Sequence, residues 1–170
     1  MAAIGWVVLK ISVTVSEKGY KETDRFSAVY GEEDIRAAKD IIENLKNLDS
    51  ETVILVEGNR DMQSLRNLGV VSEIFVINNG KSVTENSELL SRKYTKVIVL
   101  TDWDRTGGRL ARNFAEQLAV LGVEFSVEER RKLARLLKKE IKDVESLHKI
   151  DEIMTIEKSK KSINTSNSYM

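Results

Sequence analysis

Short apolar runs and amphipathic stretches alternate along the chain from about residue 52 onward. The apolar runs are rich in β-branched residues and read TVILVEG, EIFVINNG, KVIVLTD and VEFSV. Between them lie stretches with the apolar spacing of a helix, RDMQSLRNLG, TENSELLSRKY and GGRLARNFAEQLAVLG. Strands that are apolar at nearly every position suit a sheet that is covered on both faces. The pattern predicts an α/β, Rossmann-like fold, with a four-stranded, mostly parallel sheet flanked by helices.

The residues on either side of this region predict two extensions of a domain at 51–127. Within residues 1–50, WVVLKISVTV and RFSAVYG can pair as a β-hairpin around the turn SEKGYKE, and a helix follows from Glu32 to about Leu48. Residues 128–154 carry a long amphipathic pattern and predict a C-terminal helix packed on the domain. Residues 155–170 are polar, so we expect a disordered tail.

Composition narrows the function classes. The chain has 170 residues, of which 41% are hydrophobic and 32% charged, enough for one domain with a core. Lys plus Arg equals Asp plus Glu at 27 each, so any affinity for nucleic acid must come from local clusters. The absence of cysteine excludes disulfides, thiolate zinc sites and cysteine nucleophiles. The apolar stretch MAAIGWVVL has no basic region before it and ends at Lys10, too short for a membrane span, so we expect a cytoplasmic protein without a membrane partner.

Carboxylates follow two of the predicted strands. Asp102 and Asp104 come after KVIVLT, and Glu57 comes after TVILV. Two like charges this close repel each other, so one stays protonated or a cation sits between them. If the two strands are neighbours, three hard oxygen ligands meet at one edge of the sheet, which suits Mg²⁺ or Mn²⁺. An aspartyl nucleophile and a simple helix cap are the alternatives for the two aspartates.

Cations and glycines surround these acids in the sequence. A helix begins near Thr106, and its amino terminus points toward the same edge, where an anion is favoured. Acids for a metal beside cations for phosphate is a layout typical of phosphodiester chemistry. The candidate phosphate-binding residues are Arg60, Arg105, Gly107, Arg109 and Arg112.

The segments VEGNRD and VLTDWDRTG, residues 56–61 and 99–107, resemble the signature of the Toprim domain. That signature is a Glu-Gly after one strand and Asp-x-Asp-x-x-Gly after a later one, found in bacterial primases, type IA topoisomerases and small ribosomal RNA maturation nucleases. The resemblance covers about residues 52–127. It implies that Glu57, Asp102 and Asp104 form an acidic triad that holds Mg²⁺, and that Glu57 also donates or accepts a proton.

The resemblance extends to two further residues. Asp61 matches the last acid of the EGxxD form, although an acid in the first turn of a helix is also favoured by the helix dipole. Lys81 follows Gly80 in INNGKS, where the maturation nucleases have a glycine step. This GKS is not a P-loop, because the first glycine of that motif would fall at Phe75. A phosphate contact by Lys81 and a solvent-exposed lysine remain equally open.

Departures from the family pattern exclude its larger members. Type IA topoisomerases carry acids after the arginine, where this chain has Thr106 and Gly108. A chain of 170 residues also has no room for a tyrosine-bearing domain or for the template-binding modules of a replicative primase. The chain therefore resembles the stand-alone small Toprim proteins of archaea and bacteria.

The predicted C-terminal helix has two faces. Its apolar stripe is predicted to pack on the domain, and its basic face is a candidate track for nucleic acid, with a merely solvated face as the alternative. The stripe consists of Leu133, Leu137, Ile141 and Val144, and the basic face of Arg131, Arg135, Lys138 and Lys142. Trp103 lies between a predicted strand and a predicted helix, so we expect its side chain to pack within the fold rather than to stack on a base. His148 predicts a solvated side chain.

Three function hypotheses follow. The first is a Mg²⁺- or Mn²⁺-dependent nuclease that hydrolyses phosphodiester bonds, with RNA favoured over DNA. The second is a non-catalytic Toprim module that binds metal and nucleic acid within an RNA- or DNA-processing complex. The third is a phosphatase of the haloacid dehalogenase type, because DWDRT fits DxDx[TV], with Asp102 as nucleophile and Asp104 as acid and base. That family needs a late acidic pair after another strand, which the sequence lacks.

Overall fold

A computed structural model describes residues 32–137 and 141–150. The predicted hairpin, Lys138 and the predicted tail lie outside the described residues. The helices are α1 (Glu32–Lys46), α2 (Asn59–Asn67), α3 (Val83–Lys93), α4 (Arg105–Val120) and α5 (Glu128–Leu137), and a 3-10 helix spans Glu145–His148. The strands are β1 (Thr52–Val56), β2 (Glu73–Val76), β3 (Lys96–Val99) and β4 (Glu124–Ser126).

The four strands form one sheet in the order β2-β1-β3-β4, and every neighbouring pair is parallel. The predicted α/β fold is therefore confirmed, and the described sheet is parallel throughout. All five residues of β1 are buried, as expected for a central strand covered on both faces. Leu55 lies opposite Val99 in the register of β1 and β3, so the residues after these two strands emerge side by side at one edge. Among the described residues, no helix is long and apolar enough to cross a membrane.

Alternate residues of the strands face two separate cores. On one face, Ile54 and Val56 pack with α1, α2, α5 and residues 141–150. On the other face, Val53 and Leu55 pack with α3 and α4. Helices thus cover both faces of the sheet, and their packing holds the ends of β1 and β3 in place at one edge.

The single helix predicted over residues 128–154 is wrong as a continuous element. Helix α5 ends at Leu137, residues 141–144 are not helical, and a short 3-10 helix begins at Glu145. The apolar stripe is nevertheless buried, since Leu133, Leu137, Ile141 and Val144 are all at most 1% exposed. In the segment after α5, Val144 donates its N–H to the Asp102 carboxylate rather than to a carbonyl of a continued helix.

Candidate functional site

The turn after β1, residues 57–61, is held by its own atoms, and we call it the β1 turn. Glu57 follows the strand and is partly exposed. Gly58 is the N-cap of α2 and donates its N–H to Asp61 Oδ2 at 2.8 Å. Asp61 is therefore a capping residue in the first turn of α2, and it is only 6% exposed. This local bond fixes the direction in which α2 leaves the sheet.

The turn after β3, residues 101–107, is the β3 turn, and it is joined to the β1 turn by a hydrogen bond. Asp102 donates its N–H to Glu57 Oε1 at 3.0 Å. Asp104 is exposed and is the N-cap of α4, where its Oδ1 accepts the N–H of Gly107 at 2.7 Å. Asp104 is thus a helix cap, the alternative considered from the sequence, but only through Oδ1. Its Oδ2 takes no part in the cap.

Gly107 is required by a close approach of two backbone segments. A Cβ at this position would lie 2.1 Å from the carbonyl oxygen of Asp102, a separation that no side chain tolerates. The buried Thr101 hydroxyl donates to the Gly107 carbonyl at 2.8 Å and tightens the same contact. The N–H of Gly107 is already bonded to Asp104. Close packing against Asp102 therefore explains why a glycine stands at position 107. The predicted phosphate contact of Gly107 stays a prediction, because its N–H is already used by Asp104.

Arg130, in the first turn of α5, is the residue that sequence reasoning missed. Its Nε donates to the carbonyl and hydroxyl oxygens of Thr101 at 3.1 and 3.0 Å, and its Nη2 donates to the Asp102 carbonyl at 2.5 Å. The guanidinium thus binds the backbone of the β3 turn from behind. A signal was present, because Arg130 precedes Leu133 by three residues and Leu137 by seven, which sets it on the buried stripe of α5 and not on the basic face.

The segment 141–148 holds the β3 turn from a second side. Val144 donates its N–H to Asp102 Oδ1 at 3.0 Å, and Trp103 Nε1 donates to the Ile141 carbonyl at 2.8 Å. Trp103 packs against the core on this face, in agreement with the packing role favoured by the sequence. The same segment carries Asp143 and Glu145, and burial together with repulsion from these two acids raises the pKa of Asp102. The sequence did not single out these two acids.

The carboxylates at this edge are electrostatically crowded. Burial raises the pKa of Glu57, Asp61 and Asp102, and repulsion from neighbouring acids acts in the same direction for each. Burial also lowers the pKa of Arg130, whose donors are directed at carbonyl oxygens, while Glu57 favours its charged form. A cation bound between the carboxylates would relieve this repulsion.

A cavity of about 560 Å³ opens at this edge of the sheet. The predicted site residues in its wall are Glu57, Arg60, Asp61, Lys81 and Asp102, together with Glu145. Arg60 is exposed and forms a long ion pair with Glu145 at 3.6 Å.

The other predicted basic residues lie outside this wall. Arg105, Arg109 and Arg112 are exposed on α4 and are not among the residues that line the cavity. On α5, Arg131 pairs with Glu128 at 2.6 Å and Arg135 is exposed. Lys142 is exposed in the segment after α5, so it does not continue a helical basic face.

The donor chemistry of the edge fits a hard divalent cation, since its candidate ligands are carboxylates, burial raises the pKa of Glu57 and Asp102, and the chain has no cysteine to supply a thiolate. Within residues 32–137 and 141–150, no three carboxylate or histidine side chains converge closely enough to hold a metal ion. Glu57, Asp102 and Asp104 each accept a backbone N–H on one carboxylate oxygen. In the part of the chain that the structure describes, the second oxygen of each carboxylate accepts no such hydrogen bond and can face a cation.

The family model of the Toprim domain matches residues 52–145. The chain belongs to the Toprim family. The match runs past the 52–127 expected from the motifs and takes in α5, Arg130 and Val144. Toprim domains bind divalent metal ions, typically Mg²⁺, and the family implies nucleic-acid interaction and metal-dependent nucleic-acid processing in general. The segment DWDRT lies inside this Toprim domain, and this does not support the phosphatase hypothesis.

Small archaeal proteins share this Toprim domain. A UPF0292 protein of Methanosarcina acetivorans is 41% identical over 96 residues, which are 56% of this chain and 66% of that protein, just under two thirds of its length. A UPF0292 protein of Pyrococcus horikoshii is 39% identical over 110 residues, 65% of this chain and 80% of that protein. A solved structure of a protein from Aquifex aeolicus superimposes with a TM-score of 0.54 at 30% identity, over 63% of this chain and 94% of that one. These similarities agree with a small, stand-alone Toprim protein.

Proposed function

We propose that this Toprim protein is a Mg²⁺-dependent nuclease that hydrolyses phosphodiester bonds, with RNA as the favoured substrate. The observation that carries the proposal is the wall of the cavity, where Glu57, Asp61 and Asp102 face the same space as Arg60 and Lys81. Carboxylates alone would repel a phosphodiester, and cations alone would bind it without chemistry. Together they can hold a metal and a phosphate side by side.

In this proposal Glu57, Asp102 and Asp104 hold the ion through the oxygens that their backbone hydrogen bonds leave over. The bound ion supplies charge neutralisation at the phosphate and a water of lowered pKa. Glu57 is in addition the residue that accepts or donates the proton, since it lies in the cavity wall. Arg60 and Lys81 hold oxygens of the phosphate within the cavity, and the α4 residues Arg105, Arg109 and Arg112 bind phosphates farther along the strand.

The test is incubation of the full chain with labelled single-stranded and structured RNA and DNA, in Mg²⁺, Mn²⁺ or chelator. We expect metal-dependent cleavage that Glu57→Gln or Asp102→Asn reduces by a factor of about 100 or more. Glu88→Gln is the matched control, because Glu88 is an exposed acid on α3 that does not line the cavity. Cleavage that persists in chelator, or that Glu88→Gln reduces equally, would remove the metal site from the proposal.

A non-catalytic Toprim module is the second candidate, and one observation favours it. Asp104 is exposed and caps its own helix, and no three acids converge on a metal in the described part of the chain. A module of this kind would bind metal and nucleic acid for a processing complex. In the same assay it would bind RNA or DNA in a metal-dependent way and leave every substrate intact.

A further inference from the structure

The cavity beside the acids is only partly charged. Besides its charged and amide-bearing residues, its wall has an apolar part that consists of Ile77, Val83, Leu110 and Phe114. A phosphodiester and a metal ion gain nothing from such a surface. The apolar part therefore has to be explained by another part of a ligand or by packing alone.

The fold builds this apolar wall from three elements. Ile77 follows β2 and is tied to β1 by its N–H, which donates to the Val56 carbonyl at 3.0 Å. Val83 is the first residue of α3, and Leu110 and Phe114 are one turn apart on α4. Phe114 is 1% exposed and forms the floor, whereas Val83 and Leu110 are only partly buried. The two partly buried side chains leave apolar surface open to a ligand.

The size and the polar groups of the cavity fit a nucleoside. At about 560 Å³ the cavity lies within the range of small-ligand sites, roughly 300–1,000 Å³. Asn78 stands in its wall and is exposed, so its amide offers a donor and an acceptor to a polar ring edge. A base has two apolar faces and a polar edge, and in a nucleic acid it is attached one sugar away from a phosphate.

We infer that the cavity takes an unpaired nucleobase from the strand whose phosphate lies at the acidic edge. The inference rests on the proposed function, since it assumes that this edge binds a phosphodiester. The substrate class is then single-stranded or locally unpaired nucleic acid. In a continuous duplex both faces of every base are stacked and its edge is paired, so entry to the cavity requires the base to leave the stack at an energetic cost.

Binding is measured with the unaltered full-length protein by fluorescence anisotropy of labelled oligonucleotides, with Ca²⁺ in place of Mg²⁺ so that every carboxylate is kept and substrate is not consumed. One probe series carries a single abasic residue at each successive position, and a second probe is the fully paired duplex of the same sequence. Loss of the base that enters the cavity should weaken binding by about tenfold at one position and little elsewhere. The duplex should bind more weakly than the single strand by a similar factor.

The protein side of the test changes the apolar wall. Leu110→Ser should weaken single-strand binding and remove the difference between the intact and abasic probes. Val120→Ser is the matched control, since Val120 lies on the same helix, is 83% exposed and is outside the cavity. Leu110 is partly buried, so circular dichroism must show that the Leu110→Ser variant folds. If the variant does not fold, the abasic probes measured on the protein with the unaltered cavity wall test the inference alone.

Equal affinity for all abasic probes and for duplex would overturn the inference and leave the nuclease proposal standing. Absence of binding to any RNA or DNA would overturn both.

Discussion

The β1 turn and the β3 turn have the same plan and are held in different ways. Each follows a buried parallel strand, carries acids and leads into a helix. The β1 turn is fixed by a bond within itself, from Gly58 to Asp61, and by the Asn78 N–H, which donates to the Glu57 carbonyl at 2.9 Å. The β3 turn has its own cap at Asp104, but it also depends on Arg130 and Val144, which lie 28 and 42 residues from Asp102. Asp61 of the β1 turn is therefore held by a local bond, whereas Asp102 of the β3 turn is held by tertiary contacts.

The largest expected difference between the turns comes from their glycines. Gly107→Ala would force a Cβ against the Asp102 carbonyl oxygen, so we expect a loss of roughly 3 kcal/mol or more in the free energy of unfolding. Gly58→Ala should change it by less than about 1 kcal/mol, because the added Cβ would meet only Asp61 Oδ2 at 3.7 Å and the backbone is extended. Urea unfolding of both variants measures the difference. Equal losses would mean that the β3 turn can relax as easily as the β1 turn.

Arg130→Lys tests the tertiary support of the β3 turn. Lysine keeps the charge but lacks the planar fork that reaches the Thr101 and Asp102 oxygens together, so we expect a loss of roughly 2 kcal/mol. The affinity for Mn²⁺, followed by electron paramagnetic resonance, should fall as well, because the carboxylate of Asp102 would be less well aimed. Arg131→Lys is the matched control, since Arg131 is exposed and its guanidinium bonds Glu128 on its own helix. If Arg130→Lys binds Mn²⁺ like Arg131→Lys, Arg130 supports the fold without positioning the acids.

The acids of the two turns should make stability depend on pH in an unusual direction. The pKa values of Glu57, Asp61 and Asp102 are raised in the folded protein, so these groups stabilise it fully below their unfolded values, about 4, and that stability is lost as pH rises through the folded values. Asp102→Asn should remove its share and raise the melting temperature at neutral pH, an effect on the order of 1 kcal/mol or less.

Melting curves between pH 4 and 8, with and without Mg²⁺, check this expectation. Mg²⁺ should raise the melting temperature of the unaltered protein at neutral pH and have less effect on Asp102→Asn, because bound cation replaces the missing proton. A melting temperature that rises from pH 4 to 8 in the unaltered protein, and falls in the variant at all pH values, would contradict the crowding argument.

The smallest effect on stability is expected on the solvent side of α5 and beyond it. Changing Arg131, Arg135 and Lys142 to Gln touches exposed side chains only, so the free energy of unfolding should change by less than about 0.5 kcal/mol. If all three bind phosphates of a single strand, the slope of log affinity against log salt should become shallower by about 2.1, or 0.7 for each contact. An unchanged slope would leave nucleic-acid binding to the cavity and to α4.

What the sequence could predict follows the same division between local and tertiary. The strands and the acids at their ends were predictable, because buried parallel strands have continuous apolar runs and Glu57, Asp102 and Asp104 follow them directly. Asp61 was predictable by position, and the structure adds its hydrogen bond to Gly58. The roles of these residues in catalysis and metal binding stay predictions.

What could not be predicted depends on contacts between distant residues. The apolar spacing from Leu133 to Val144 indicated burial correctly but not the end of α5, because spacing carries no information about a carboxylate that accepts the Val144 N–H from elsewhere in the chain. The position of Arg130 on the apolar stripe was visible in the sequence, but its partners were not, because Thr101 and Asp102 meet it only when the β3 turn is in place.

The dependence of the β3 turn on Arg130 and Val144 has a consequence for biosynthesis. A ribosome releases the chain from its amino end, so the acids at 57, 61, 102 and 104 leave the exit tunnel before the residues that hold the β3 turn. The Gly58–Asp61 bond can form as soon as α2 has emerged, whereas Asp102 has neither the guanidinium behind it nor the N–H of Val144 until late in translation. A nascent or truncated product that stops before residue 130 would carry the whole DxD motif without the groups that orient it.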